Sequence, residues 1–355
     1  MTRFTVLSLV LAGTLMTACK DDNDEVPAID ATQNSEILAD FATNIASAVY
    51  TDLAANTSAL DADVDDLIAS KSPEDLAKCQ VAWKAARTTW ERSEAHLFGP
   101  VATEEIDPRI DTWPVNFTDL DQELASDHEF TADYIDGLED ALKGFHPIEY
   151  LLFGKNGNKN VIDFTEREFQ YLKALTNNLV ALTLEAAVQW TESTPGNYLD
   201  ELSKAGNGST VYKTQRDAFS EIVTAMAGIC DEVANGKLKE PYDAKDPSLE
   251  ESPFAGTSIM DFTNNITGVK NVYYCKYKTD GHGLDELVKQ HNLSLDTEIA
   301  GKIDAAITAL NNITVPFGQA ITDQPVQIQN AMDAINALQA TLEESLLPFV
   351  MQHSN

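Results

Sequence analysis

Two places in the sequence put chemistry-bearing side chains where packing alone would not ask for them. The first is Gly144-Phe145-His146-Pro147-Ile148-Glu149. Proline is tolerated in a helix only in its first turn, so Pro147 predicts a helix that opens at about His146. His146 and Glu149, three apart, then share a face, with Tyr150 and Phe153 beside them. An imidazole and a carboxylate at that spacing can share a metal, as in di-metal helical bundles, or act as a base and its orienting partner. A buried histidine hydrogen-bonded to a glutamate, with no function, fits the same pattern. The second place is Glu94, which continues the helical stripe Leu76, Cys79, Trp83, Ala86, Trp90 and Leu97, one step after Trp90. Burying an ionised carboxylate without a partner costs several kcal/mol. Either a cation, a donor or a wet cleft meets Glu94, or the stripe rotates and leaves it at a solvated edge.

Other templates fail on inspection. His128-Glu129 lacks the second histidine of a zincin, since Ala132 stands there. Asp61-Ala62-Asp63-Val64-Asp65 begins like a calcium loop, but Asp66 replaces its glycine and Ser72 its terminal glutamate. Gly281-His282-Gly283 lacks the third glycine and the preceding strand of a dinucleotide site.

The elements that must position these residues are helices. Ser72 reads as an N-cap with Pro73 at the first helical position, opening a helix toward Phe98. Thr165-Glu166-Arg167-Glu168 has the form of a capping box before the stripe Phe169, Leu172, Leu175, Leu179, Leu182, Ala186. Two further stripes are Ile299, Ile303, Ala306, Leu310, Ile313 and Ile328, Ala331, Ile335, Leu338, Leu342, Leu346, the latter started by Pro325. Weaker helical signals lie at about 30–57, 131–142, 147–153, 214–235 and 283–291. Two stretches, about 99–127 and 238–281, read as long irregular loops, and such loops are usually functional. The expected architecture is all-α, built of antiparallel bundles.

The 57 acidic and 24 basic side chains give a formal net charge of −33, which argues against nucleic acid as a partner. Hydrophobic residues make up 43% of the 355, enough for a sizeable core. Residues 1–18 carry Arg3, an apolar run from Val6 to Met16 and a small-residue ending before Cys19. That order describes an export signal, too short to span a bilayer. Its end resembles a bacterial lipobox, so Cys19 is expected to be acylated and to anchor the chain to a membrane. Residues 19–29 then form an acidic tether of the kind that follows the anchor in surface-exported lipoproteins. The expected address is the cell envelope, as an outer-membrane lipoprotein exposed at the surface. Cys79, Cys230 and Cys275 remain, which allows at most one disulfide and no C-x-x-C metal pair.

Three motifs in order carry a family resemblance: Trp90-Glu91-Arg92-Ser93-Glu94-Ala95-His96-Leu97-Phe98-Gly99-Pro100, then Ile106-Asp107-Pro108-Arg109-Ile110-Asp111-Thr112-Trp113-Pro114, then Gly144-x-His146-x-x-Glu149. Together they resemble the imelysin family, also classed as peptidase M75. The resemblance extends less sharply through Glu251-Ser252, Asp261-Phe262, Asn264-Asn265 and Tyr273. It implies two related helical-bundle lobes, at about 30–200 and 201–355, with the Gly-x-His-x-x-Glu segment at the cleft between them. Glu94, Arg109, Trp113, His146 and Glu149 would line that cleft with Glu251 and Ser252, Arg109 serving as counterion to Glu94. The metal ligands would be His146, Glu149 and Glu94.

Relatives are tied both to proteolysis and to iron uptake. A hydrolytic zinc site needs three protein ligands and a water, and the motif supplies two obvious ones. Iron is well served by carboxylates and imidazole. The expected function is therefore binding of an iron-related ligand, iron or haem, for transfer to an uptake transporter. A zinc metallopeptidase using His146 and Glu149 is the alternative, and a non-catalytic scaffold a third reading.

Overall fold

The computed structural model describes residues 30–191 and 196–355, so the export signal, Cys19 and the acidic tether lie outside the described residues. In chain order the helices of the first half are α1 (Ala31–Asp40), α2 (Ala48–Ser70), α3 (Pro73–Ser93), α4 (Pro100–Thr103), α5 (Ile106–Asp111), α6 (Phe117–Ala125), α7 (Ala132–Asp136), α8 (Phe145–Phe153) and α9 (Glu166–Gln189). The second half adds α10 (Tyr198–Ser203), α11 (Gln215–Asp231), α12 (Lys239–Ala244), α13 (Ser258–Tyr274), α14 (Leu284–His291), α15 (Leu293–Asn311), α16 (Phe317–Asp323), α17 (Pro325–Thr341) and α18 (Leu347–His353). Wide π-type turns at Phe41–Ser47, Glu232–Leu238 and Leu342–Leu346 link α1 to α2, α11 to α12 and α17 to α18. Among the described residues there is no strand beyond one isolated bridge, Lys276 to Asp280, so the expected all-α class holds. No helix among them is long and apolar enough to cross a membrane.

The start signals work as the sequence predicts. Ser72 accepts from the Asp75 amide at 3.1 Å, and Thr165 and Glu168 cap each other reciprocally. Ser72→Ala is expected to lower stability by about 1 kcal/mol in chemical denaturation, because the first turn of α3 loses that acceptor. An unchanged midpoint would mean that water replaces the hydroxyl at no cost.

α2 packs on α3 and α9, while α15 packs on α17 and α13, and α11 on α17 and α18. The predicted stripes are the buried ones: Trp83, Trp90, Leu172, Leu175, Ile303, Leu310, Ile335 and Leu342 are sealed from solvent. The buried apolar residues form one continuous cluster from Ile37 to Val350. Helices from early and late in the chain meet most extensively where α3 packs on α13. Gly268 makes that packing possible, since a Cβ there would lie 2.4 Å from the Arg92 carbonyl oxygen, a backbone atom that cannot move aside.

Several boundaries differ from the sequence reading. The α3 helix stops at Ser93 and tightens into a 3₁₀ turn, Glu94–His96, so Leu97 lies beyond it and is only half buried. The first helical signal extends to Ser70 instead of ending near 57, and the segment read as 131–142 is α7 followed by a short 3₁₀ turn. The stretch 99–127 contains α4, α5 and α6. The main omission is α13, which lies inside the stretch read as a loop. Its buried face carries Ser258, Asp261 and Asn265 beside Phe262, Ile266 and Val269, so an apolar-periodicity search misses it. Cys79, Cys230 and Cys275 are buried free thiols, with no disulfide among them.

Candidate functional site

The site grows from α3. Arg87 and Glu91 are one helical turn apart, and both are fully buried against the opposing α13. The Arg87 guanidinium reaches Glu91 at 2.6 Å, Glu251 at 2.5 Å and Asp111 at the end of α5. Burial opposes its charge, but Asp111, Glu91 and Glu251 outweigh that and hold it well above its ordinary pKa. Burial likewise pushes the Asp111 carboxyl up, yet Arg87 and then His146 dominate and keep it below the usual carboxylate range. The Trp90 indole donates to the other Asp111 oxygen at 2.6 Å.

The α8 helix brings His146. Gly144, at φ +82°, turns the chain into Phe145, one residue before the predicted start, and Pro147 falls in the first turn. His146 Nε2 lies 3.1 Å from Asp111 and 3.8 Å from Glu251, and Nδ1 lies 3.8 Å from Glu149. Neither nitrogen makes a well-directed hydrogen bond, although the ring is sealed from solvent. Burial favours the neutral ring, but Asp111 and Glu149 prevail and lift its pKa to about 9. Glu149 turns Oε1 to the Phe254 and Ala255 amides, at 2.9 and 2.7 Å, and thereby pins the loop that carries Glu251 and Ser252. Its Oε2 accepts no hydrogen bond. Ser252 is buried with its hydroxyl beside Asp261. The Trp113 ring packs on His146 with centroids 5.0 Å apart.

Glu94 is buried, as its place on the stripe implied. Its partner is not Arg109. Arg109 pairs with Asp136 at 2.7 Å and is absent from the lining of the cleft, because α5 directs it away from α3. The counterion is Lys237, 3.2 Å from Glu94, while Asn265 of α13 donates to both Glu94 and Glu91. Burial and the neighbouring Glu91 hold Glu94 well above the ordinary carboxylate pKa. Asp261 is raised by the same two causes.

An acidic cavity of about 400 Å³ opens beside the cluster, lined by Glu94, Asp107, Asp111, Trp113, Lys237 and Glu251 among others. His146, Glu149 and Ser252 stand behind that lining instead of on it. Two sets of side chains offer ligand atoms that all lie within 4.8 Å of one another: Asp111, His146 and Glu251, and Glu91, Glu94 and Asp111. Asp111 belongs to both. Of the expected metal ligands, His146 and Glu94 therefore fall in different sets, and Glu149 is in neither.

The sequence reading missed Arg87, Glu91, Asp111, Lys237, Asp261 and Asn265 as site residues. A signal existed for the first two: Arg87, Glu91 and Glu94 follow one another at steps of four and three, a charged seam flanking the Trp83–Trp90 stripe.

Asp107, at the cavity wall, carries a pH prediction. Burial first, then Asp111 and Glu232, raise its carboxyl from 3.8 to about 7. An acid raised on folding holds its proton more tightly in the native state. Its favourable contribution is therefore lost as pH rises from the unfolded value through about 7. Asp107→Asn is expected to melt higher than the parent near pH 8 and to match it near pH 4. An equal offset at both pH values would show that Asp107 is not the titrating group.

The comparisons with known proteins follow the same outline. The family described as imelysin, peptidase M75, matches residues 46–345. Iron-regulated protein A of Synechococcus elongatus is 28% identical over 356 residues, covering 98% of this chain and 94% of that protein. A crystal structure assigned provisionally as an iron-regulated protein A precursor from Parabacteroides distasonis superposes with a TM-score of 0.82 at 28% identity, over 92% of this chain and 97% of that one. An imelysin-like protein from Psychrobacter arcticum shares the fold at a TM-score of 0.74 and 12% identity, over 91% of this chain and 97% of that one.

Proposed function

Since the chain belongs to the imelysin family, peptidase M75, we propose that it is a cell-envelope lipoprotein that binds an iron cation, without covalent turnover, at Asp111, His146 and Glu251. The relatives named for iron regulation support the iron-related role. The observation that carries the cation is the charge imbalance of the cluster. Six carboxyl groups, Glu91, Glu94, Asp111, Glu149, Glu251 and Asp261, are buried or nearly so. Arg87 and Lys237 are the permanently charged bases in ion contact with them among the described residues. Even with His146 protonated, acids outnumber bases by three if all ionise. Uncompensated buried charge is costly, so protons held by Glu94 and Asp261, or a bound cation, must neutralise it.

The donors suit the ion. Two carboxylates and an imidazole serve ferrous and ferric iron well, and the poorly bonded ring nitrogens are free to turn toward a metal. A metal ligand must be a neutral imidazole, so uptake releases the His146 proton and strengthens as pH rises. Haem fits less well, because its carboxylates would meet Glu94, Asp107, Glu232 and Glu240 along the cavity wall. In this reading a lipid on Cys19, after an export-signal-like start, holds the protein on the outer membrane, where it passes iron to an uptake transporter.

The metallopeptidase alternative gains one point, since Asp111 and Glu251 supply the further ligands that the motif alone lacked. It loses another: Glu149, the base in that reading, is sealed away from the cavity with one oxygen committed to two backbone amides. Anaerobic Fe²⁺ titration of the mature chain tests both. The expected result is one ion per chain, with His146→Ala weakening binding at least about tenfold while the helical circular dichroism persists. Zinc uptake accompanied by cleavage of unfolded peptide would favour the peptidase, and no uptake by the parent chain would sink the proposal.

A further inference from the structure

Lys237 is the loosest ion in the cluster. It sits on the wide turn Glu232–Leu238, nearly buried, with Nζ 3.2 Å from Glu94, 3.4 Å from Glu251, 3.6 Å from Glu232 and 3.7 Å from Glu91. Charge-assisted N–O pairs normally close to about 2.7–2.9 Å. The ammonium is therefore shared among carboxylates, with long hydrogen bonds to both Glu94 oxygens and to Glu251.

Beside it Glu91, Glu94 and Asp111 form the second set of converging oxygens, of which Glu91 and Glu94 touch the ammonium. Glu91 Oε1, fully buried, lies 2.6 Å from the Arg87 guanidinium without a well-directed hydrogen bond. Glu94, Asp111, Lys237 and Glu251 line the cavity, whereas His146 does not. A cation arriving from solvent thus meets Lys237 before it meets the imidazole.

We propose that Lys237 is a built-in stand-in for a second cation: its ammonium rests against Glu91 and Glu94, two of the three carboxylates of that set, and a divalent metal ion takes the position that Glu91, Glu94 and Asp111 form when Lys237 swings toward Glu232 and Glu240 at the cavity mouth. The all-carboxylate donor set selects a hard ion such as Mn²⁺ or Fe²⁺. Exchanging a single charge for a double one also reduces the acidic excess. Lys237 therefore limits how many ions the cluster holds and stands on the path to His146. This deepens the proposed iron site and rests on it for the identity of the first ion.

Mn²⁺ titration of the mature chain near neutral pH counts the ions. The parent is expected to bind one tightly. Lys237→Met is expected to bind two, the second at least tenfold tighter than any second ion of the parent. Lys237→Arg keeps the charge and gains none. Glu94→Gln added to Lys237→Met returns the count to one. Should Lys237→Met unfold without metal, Mn²⁺ must restore its helical circular dichroism, and a chain that stays unfolded at saturating Mn²⁺ overturns the proposal. So does a folded Lys237→Met with the parent's count and affinity. A parent that binds nothing beside a Lys237→Met chain that binds one ion, retained in Lys237→Met/His146→Ala, would remove the His146 site and leave the Lys237 exchange standing. One ion in both chains would do the reverse.

Discussion

Arg87→Ala is expected to destabilise the fold by about 3–5 kcal/mol near neutral pH, the loss typical when one partner of a buried ion network is removed. The guanidinium is sealed from solvent and is shared by Glu91, Asp111 and Glu251, which come from α3, α5 and the loop before α13. Without it three carboxylates are left buried with Lys237 and His146 alone to offset them. Arg87→Lys recovers little, because an ammonium lacks the planar fork that reaches three acceptors at once. The loss must also depend on pH. Arg87 holds Asp111 below its unfolded pKa, so that part of the stabilisation is present above the ordinary carboxylate range and is lost only as pH falls below that range, through the depressed native value. Urea denaturation near pH 7 and near pH 3 should therefore show the gap between parent and variant narrowing in acid. A gap below about 1 kcal/mol near pH 7 would mean that the carboxylates are already neutral and that the charge imbalance is not real.

The second large effect is expected at Gly144, the glycine of the Gly-x-His-x-x-Glu segment. Its φ of +82° is unfavourable for any side chain, and a Cβ there would lie 2.2 Å from the Ile110 carbonyl oxygen and 2.5 Å from its carbonyl carbon. Both are backbone atoms, adjacent to Asp111. Gly144→Ala must push the end of α5 away from the start of α8, which separates Asp111 from His146. Strain and overpacking together should cost on the order of 3 kcal/mol, and metal binding should weaken in parallel. Gly256→Ala is the control. It has a similar φ, +65°, but open space where the Cβ would go, so it carries the strain without the clash. Equal losses in the two variants would show that close approach to Ile110 is not what the glycine is for.

Much of the local structure was legible from the chain. Caps and prolines act within one turn, which is why Ser72, Thr165 and Pro325 open helices as predicted. The spacing of His146 and Glu149 put both on one helix whatever surrounds it. The stripe through Glu94 correctly marked a carboxylate facing inward, although the helix ends one residue earlier and Glu94 itself caps it. Legibility ended where a helix buries polar groups. The α13 helix offers Asp261 and Asn265 to the interior, and no periodicity of apolar residues announces that.

The sequence by itself determined an all-α chain, the helices that carry the histidine and the acids, and the presence of an inward carboxylate in need of a partner. Which partner it finds was decided only by the tertiary structure. Arg109 lies 15 positions from Glu94 yet turns to Asp136, while Lys237, 143 positions away, supplies the cation. The reason is physical: helix propensity, capping and side-chain spacing are set by neighbours within a turn or two, whereas charge pairing is set by distance in space. That distance exists only after α3, α5, α8 and α13 have packed together.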